Sequence, residues 1–307
     1  PVTQSAPHTR FPPAPLPQSS RTSRKSPPQP RAPKTTQELS CPSSSSAPKY
    51  SHDPGVGRFR FYWNNLADAA ATVETSSSAE AEYPLSNIKN IWPTYEFRTA
   101  SLGAPDYIKW DLGSAQYVSC FILWNHNITA GATIRLQGND SDAWGAPAFD
   151  EAVTWNAENL VHVLASAVSL RWWRIIITDA ANPDGYISAG CRFLGTYFQP
   201  GESNATRTPE LIDPSEVAFS RGGQMTAAQL DGYDQMSYRF DIVSPADQAT
   251  MKTIYRALGR FKPYFIIEDS NNPLTTVYYV HNISHWRFGD IKAGGYKSFQ
   301  LDVETMR

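Results

Sequence analysis

From Arg58 to about Phe198, apolar residues come in short runs separated by turn residues, without the spacing of an amphipathic helix. The runs 107–111, 117–124, 132–138, 161–164, 172–178 and 191–198 have strand length. Between them lie Gly-Ser, Gly-Ala, Asn-Asp-Ser-Asp and Asn-Pro-Asp-Gly. Glycine reaches positive φ without steric cost, proline presets φ, and Asn or Asp side chains bond their own backbone, so each separator predicts a turn. Many short strands with no long helical pattern between them predict a β-sandwich over residues 56–200.

Residues 201–214 are polar, hold two prolines and lack periodicity, which predicts a linker. Residues 236–243 then alternate like a strand. Ser244-Pro245-Ala246-Asp247 supplies an N-cap, a proline at the first helical position and an acid in the first turn, so a helix is predicted over 245–258, closed by Gly259. Strands are predicted at 264–268, 275–288 and 296–303, making 215–307 a small α+β domain. In the middle strand, alternation sets Tyr278, Val280, Asn282, Ser284 and Trp286 on one face and Val277, Tyr279, His281, Ile283 and His285 on the other. One helix covers one face, so the second is expected to serve as an oligomeric or docking contact.

Residues 1–55 hold 13 of the 24 prolines and 11 serines, with seven Lys or Arg against Glu38 and Asp53. Such a stretch buries too little apolar surface to offset its ordering entropy and is expected to be a disordered basic arm. The expected fold class is therefore mainly β: a jelly-roll sandwich, then a small α+β domain, behind a Pro/Ser-rich arm. The net charge of −2 over 307 residues gives no general attraction to nucleic acid. No apolar run reaches membrane-span length, and the first 30 residues lack the apolar core of a signal peptide, so membrane insertion and export by that route are not expected. Cys41, Cys120 and Cys191 lack the spacing of a zinc site or disulfide scaffold.

Three stretches in the middle segment resemble the galactose-binding-like jelly roll of discoidin and coagulation-factor C-domains. They are Tyr83-Pro84-Leu85-Ser86-Asn87-Ile88 with Ile91-Trp92, then Tyr107-Ile108-Lys109-Trp110-Asp111-Leu112-Gly113, and Arg171-Trp172-Trp173-Arg174-Ile175-Ile176-Ile177. Ile134-Arg135-Leu136-Gln137-Gly138-Asn139 with Trp144 fits a fourth. The resemblance implies a binding surface in the loops at one end of the sandwich, where aromatic rings stack on a sugar and polar groups hold its hydroxyls. It points to Trp92, Tyr95, Arg98, Asn125, His126, Asn127 and Trp144 as ligand-binding residues, although Trp92 and Trp144 fall at positions usually packed in that family's core. The family's structural Ca²⁺ is not carried over, because no acid-rich match lies between Asn64 and Asn90. Asn139-Asp140-Ser141-Asp142 offers too few oxygens for a Ca²⁺ site and is expected to be a solvated turn.

A looser resemblance, to minor tail proteins of tailed phages, rests on Phe61-Tyr62-Trp63-Asn64-Asn65-Leu66-Ala67 and on Phe265 to Asp269 after Lys262-Pro263. It implies a virion tail or baseplate protein assembled in the bacterial cytoplasm. Neighbouring tail subunits and a bacterial surface glycan would be its partners, with homo-oligomer formation expected; a free-standing lectin-like protein is the alternative. No Gly-x-Ser-x-Gly, His-Glu-x-x-His or phosphate-binding glycine loop occurs, so an enzyme is not expected, nor are a cofactor or metal. His281 and His285, four apart in one predicted strand, would share a face but have no evident third ligand.

Overall fold

The alternation of the folded part becomes sixteen strands and one helix in the computed structural model, which describes residues 58–103, 105–201, 205–291 and 295–306. The arm expected over 1–55 lies outside the described residues. β1 (Arg60–Asn65), β2 (Val73–Ser76) and β3 (Phe97–Arg98) precede the long β4 (Asp106–His126). β5 (Thr133–Asn139), β6 (Phe149–Ala152), the long β7 (Asn159–Thr178) and β8 (Ser188–Phe198) complete the first part. β9 (Ala205–Ile212), β10 (Glu216–Phe219), β11 (Met225–Ala228) and β12 (Tyr233–Val243) lead to α1 (Pro245–Leu258). β13 (Tyr264–Ile267), β14 (Val277–Asn282), β15 (Arg287–Asp290) and β16 (Lys297–Thr305) end the chain. The fold is mainly β with a single α-helix among the described residues, as the alternation predicts.

Two pairs of predicted strands merge across a bend. β4 runs through both 107–111 and 117–124, and its pairing with β7 slips between Asp111 and Gln116 and again between Val118 and Cys120. Gly113 sits at the first slip with φ +76°, and its N–H donates to the Asp111 carboxylate at 2.9 Å. A bulge bends a strand, so each half of β4 joins a different layer. One layer sets β2, the first half of β4, the second half of β7, β5 and β6 side by side; the other pairs the remaining halves with each other and β4 with β8. Trp110, Trp173, Ile175, Phe121, Leu123 and Leu194 fill the space between the layers, all fully buried.

β8 also pairs with β1, and β1 pairs with β13, so the second layer continues into the C-terminal part as one sheet. There Met251, Ile254 and Leu258 of α1 cover Phe240, Phe299 and Val303. The helix has the predicted bounds, with Ser244 as N-cap accepting from the Asp247 N–H at 3.1 Å.

Three local expectations change. Ala205–Ile212, read from the sequence as linker, pairs along its whole length with β12. Its Pro209 is tolerated because β9 lies at the sheet edge. The predicted strand 275–288 is two strands, β14 and β15, separated by residues 283–286. Its second face is also not free: Val277 and Tyr279 are buried in a third cluster with Phe265, Ile122, Cys191 and Phe193. The Tyr279 and Phe265 rings lie 4.6 Å apart, and Phe265 reaches Trp124 of β4 at 5.8 Å. The sandwich supplies the cover that a lone α+β domain would lack. Among the described residues no helix is long and apolar enough to cross a membrane.

A buried ion network ties the layers together. Arg192 of β8 donates to both Glu74 carboxylate oxygens, at 2.8 and 3.2 Å, to Asp68 at 2.7 Å and to the Ala67 carbonyl at 3.2 Å. The Arg192 and Glu74 side chains are each 1% exposed. Removing one partner strands the other's charge in a low-dielectric interior. Arg192→Met is expected to lower unfolding free energy by about 3–5 kcal/mol in denaturant titrations. Gly113→Val, which forces a β-branched residue to positive φ, is expected to cost about 1–3 kcal/mol in the same measurement.

Candidate functional site

The loop that follows β2 is held in shape by its own polar groups. Pro84 leads into a 3-10 turn, Leu85–Lys89. The Asn87 amide donates to the Glu96 carbonyl at 3.0 Å, the Asn90 side-chain oxygen accepts from the Trp92 N–H at 3.1 Å, and the Tyr95 N–H bonds the Trp92 carbonyl at 3.1 Å. Asn and Asp side chains replace backbone partners in this way where no ladder is available. Ile88 and Phe97 anchor the loop in the core. Trp92 and Tyr95 are left 49% and 56% exposed. The resemblance had set Trp92 at a usually packed position; here the loop turns it outward.

Arg98 closes the loop. Its guanidinium lies 3.7 Å from the Tyr83 ring centroid and 4.7 Å from that of Tyr186, and its Nε donates to Glu96 at 2.8 Å. The carboxylate bond raises the already high basicity of Arg98. The side chain is thus a fixed planar cation between two phenols. Tyr83 and Tyr186 are not among the residues the resemblance points to; Tyr83 opens the Tyr-Pro-Leu-Ser-Asn-Ile stretch and Tyr186 directly follows the Asn-Pro-Asp-Gly turn, so their only signal in the sequence is an aromatic flanking a turn.

The turn after β4 meets this loop. Asn125 has φ +54°, and its amide donates to the Pro93 carbonyl at 3.0 Å. Asn127 spends its side chain on structure, donating to the Tyr186 carbonyl at 2.9 Å and to Asp184 at 3.0 Å while accepting from the Ser188 N–H at 2.8 Å. His126 Nδ1 accepts from the Ile128 N–H at 3.1 Å, which assigns the proton to Nε2. Burial pushes the His126 imidazole down to about 4, against a weaker upward pull from the Asn156 backbone. His126 is therefore a neutral, half-buried turn residue; Trp92, Tyr95 and Asn125 are exposed, and the Tyr83–Arg98–Tyr186 stack is half-buried.

Trp144 is elsewhere. Its indole N–H donates to Asp142 at 2.6 Å, and its ring lies 4.2 Å from the Arg174 guanidinium on the outer face of the β5–β7–β4 layer. Asp142 is held by Lys109 at 2.7 Å, and that contact lowers its pKa. Among the described residues no group of three or more His, Cys, Asp or Glu side chains is placed to hold a metal. His281 and His285 do not share a strand face, because β14 ends at Asn282. His281 Nε2 meets Glu304 at 3.0 Å, and His285 Nδ1 meets the Tyr255 hydroxyl at 2.9 Å.

No protein-family model and no curated protein matches the chain. Solved structures similar to it include chitosan-binding module 1 of a chitosanase/glucanase from Paenibacillus sp. IK-5, at 24% identity and a TM-score of 0.35, covering 43% of this chain and 99% of that one. A fucose-binding module, SpX-3, of Streptococcus pneumoniae is similar at 16% identity and a TM-score of 0.35, covering 44% and 99% of the two chains. The family 32 carbohydrate-binding module of NanJ from C. perfringens, in complex with galactose, is similar at 14% identity and a TM-score of 0.34, with 46% and 99% covered.

The depressed His126 pKa has a definite sign. A histidine that titrates near 6.5 when unfolded and about 4 when folded binds its proton more readily in the unfolded state. Its stabilising contribution is complete above about pH 6.5 and is lost as pH falls toward 4. Melting midpoints measured from pH 8 to 4 should fall less steeply below 6.5 for His126→Asn, which keeps an acceptor for the Ile128 N–H, than for the parent protein.

Proposed function

We propose that the protein is a non-enzymatic glycan-binding protein whose contact surface is the loop 83–98 with the Asn125 turn. The observation that carries this reading is the pairing of outward-facing Trp92 and Tyr95 with a prefixed arginine between Tyr83 and Tyr186. Sugar rings have an apolar face that stacks on an aromatic ring and hydroxyls that need directed donors and acceptors. A loop already locked by internal hydrogen bonds loses little entropy on binding. The resemblance of residues 83–92, 107–113 and 171–177 to galactose-binding-like domains supports the same end of the sandwich as the contact surface.

A second reading sets this binding function in the tail or baseplate of a phage particle, assembled in the host cytoplasm and docked on neighbouring subunits or on copies of itself. It is favoured by the β10–β11 hairpin, which pairs with no other strand among the described residues and exposes Val217, Phe219 and Met225 on one face. An isolated apolar hairpin is marginal in water, and assembly would give it cover.

Glycan-array screening of the purified chain tests the first reading. Trp92→Ala and Arg98→Ala should each weaken binding of the retained glycan by about fivefold or more with little change in melting midpoint, since both side chains reach solvent. Absence of binding to any arrayed glycan would remove the proposal.

A further inference from the structure

Lined in part by residues 88–91 of the same loop, a cleft of about 430 Å³ lies between the sandwich and the end of α1. That volume is within the range of small-ligand sites. Its walls come from separate elements: Trp63 and Asn64 of β1, Lys89 and Asn90 of the loop, and Lys262 of the α1–β13 connection. Its floor is the buried ion network and the rings of Phe193, Phe265 and Tyr279.

Three features define what such a cleft would take. The first is charge. Arg192, Lys89 and Lys262 line the cleft, while Glu74 and Asp68 face them, so the cations outnumber the carboxylates. Asp68 is consumed, accepting from Arg192 at 2.7 Å and from the Asn65 amide at 2.8 Å. The Lys89 ammonium is 3.6 Å from Glu74 with 43% of its side chain exposed, and Lys262 is exposed with no carboxylate partner among the described residues. The second is the helix end, whose carbonyls would repel an anion. Three carbonyls there are already bonded: Leu258 by the Lys262 N–H at 3.2 Å, Tyr255 by the Gly259 N–H at 2.8 Å and Gly259 by the Asn282 amide. The third is the rim, where Asn64 and the amide nitrogen of Asn90 have no side-chain hydrogen-bond partner among the described residues and Trp63 is partly exposed.

We propose that this cleft is a second binding site, distinct from the loop face that carries Trp92, and that it takes a carboxylate-bearing sugar of one or two rings. The carboxylate would lie between Lys89 and Lys262, the ring against Trp63, and the hydroxyls toward Asn64 and Asn90. Charge-assisted hydrogen bonds to two ammonium groups make the acid the selective element, since a neutral hexose leaves Lys262 without a carboxylate and Lys89 with Glu74 alone.

Titration of the full chain with sodium galacturonate and separately with galactose, followed by amide-resolved NMR and calorimetry, tests this. Saturable galacturonate binding is expected, with shifts at Asn64, Lys89 and Lys262, weakened by added salt. Lys262→Ala and Asn64→Ala should each reduce affinity, the former by about tenfold, and both should melt like the parent. Trp92→Ala should leave uronate binding unchanged while reducing binding of the arrayed glycan, so the two sites fail independently. Three results would overturn the proposal: no saturable galacturonate signal, equal affinity for galactose at the cleft, or binding that Trp92→Ala abolishes and Lys262→Ala spares.

Discussion

A single desolvated arginine holds the architecture together. Arg192 stands on β8, the strand that pairs with β4 on one side and β1 on the other, and it reaches across the sandwich to Glu74 on β2 of the opposite layer. Glu74 in turn accepts from the Trp110 indole, so the pair is wired to one of the two fully buried tryptophans of the core. Burying both charges is costly, and the cost is offset only because every guanidinium edge and both carboxylate oxygens are bonded. The pair gives no general stability bonus over a hydrophobic pair of equal size. It specifies the geometry instead: layers that slipped by one residue would leave both charges unpaired.

That constraint explains why the C-terminal part is not a free-standing unit. Asp68 and Ala67, in the turn that follows β1, are fastened to Arg192, and β1 is the strand on which β13 forms. Fixing β1 fixes the plane of the C-terminal sheet. It brings Phe265 and Tyr279 against Phe193 and Ile122, closing the face that a sequence reading leaves open.

Periodicity revealed the parts of this fold that depend on local chemistry. Ser244, Pro245 and Gly259 bracket the helix because caps act within a turn. Gly113 takes the positive φ that a turn ending in Asp-Leu-Gly requires, and Asp111 bonds its N–H. The misreadings share a cause, which is that they depend on what a strand meets in space. Residues 205–212 look like a linker because an edge strand may be polar on both faces and even hold Pro209. His126 looks like a ligand residue because its neighbours are polar, yet its ring turns inward to accept the Ile128 N–H. Trp144 follows the Asn-Asp-Ser-Asp turn in sequence but stacks on Arg174, one whole sheet face from the loops. Glu74 lies outside every quoted motif and carries no periodic signal.

The loop 83–98 links these levels. Its inner residues, Ile88 and Phe97, belong to the sandwich core; Lys89 extends toward Glu74; Trp92 and Tyr95 face solvent. Its shape comes from its own polar groups and its core anchors, and Lys89 joins it to the ion network that sets the layers. Its turns are closed by backbone bonds such as Asn90 N–H to the Asn87 carbonyl and Tyr95 N–H to the Trp92 carbonyl, and by the Asn87 and Asn90 side chains, so the loop is braced before any ligand arrives. A rigid loop with two differently built sides can offer stacking rings to one partner and ammonium groups to another without either contact reshaping the other. Affinity at each side then depends on the chemistry presented there, because the conformational cost was met when the chain folded.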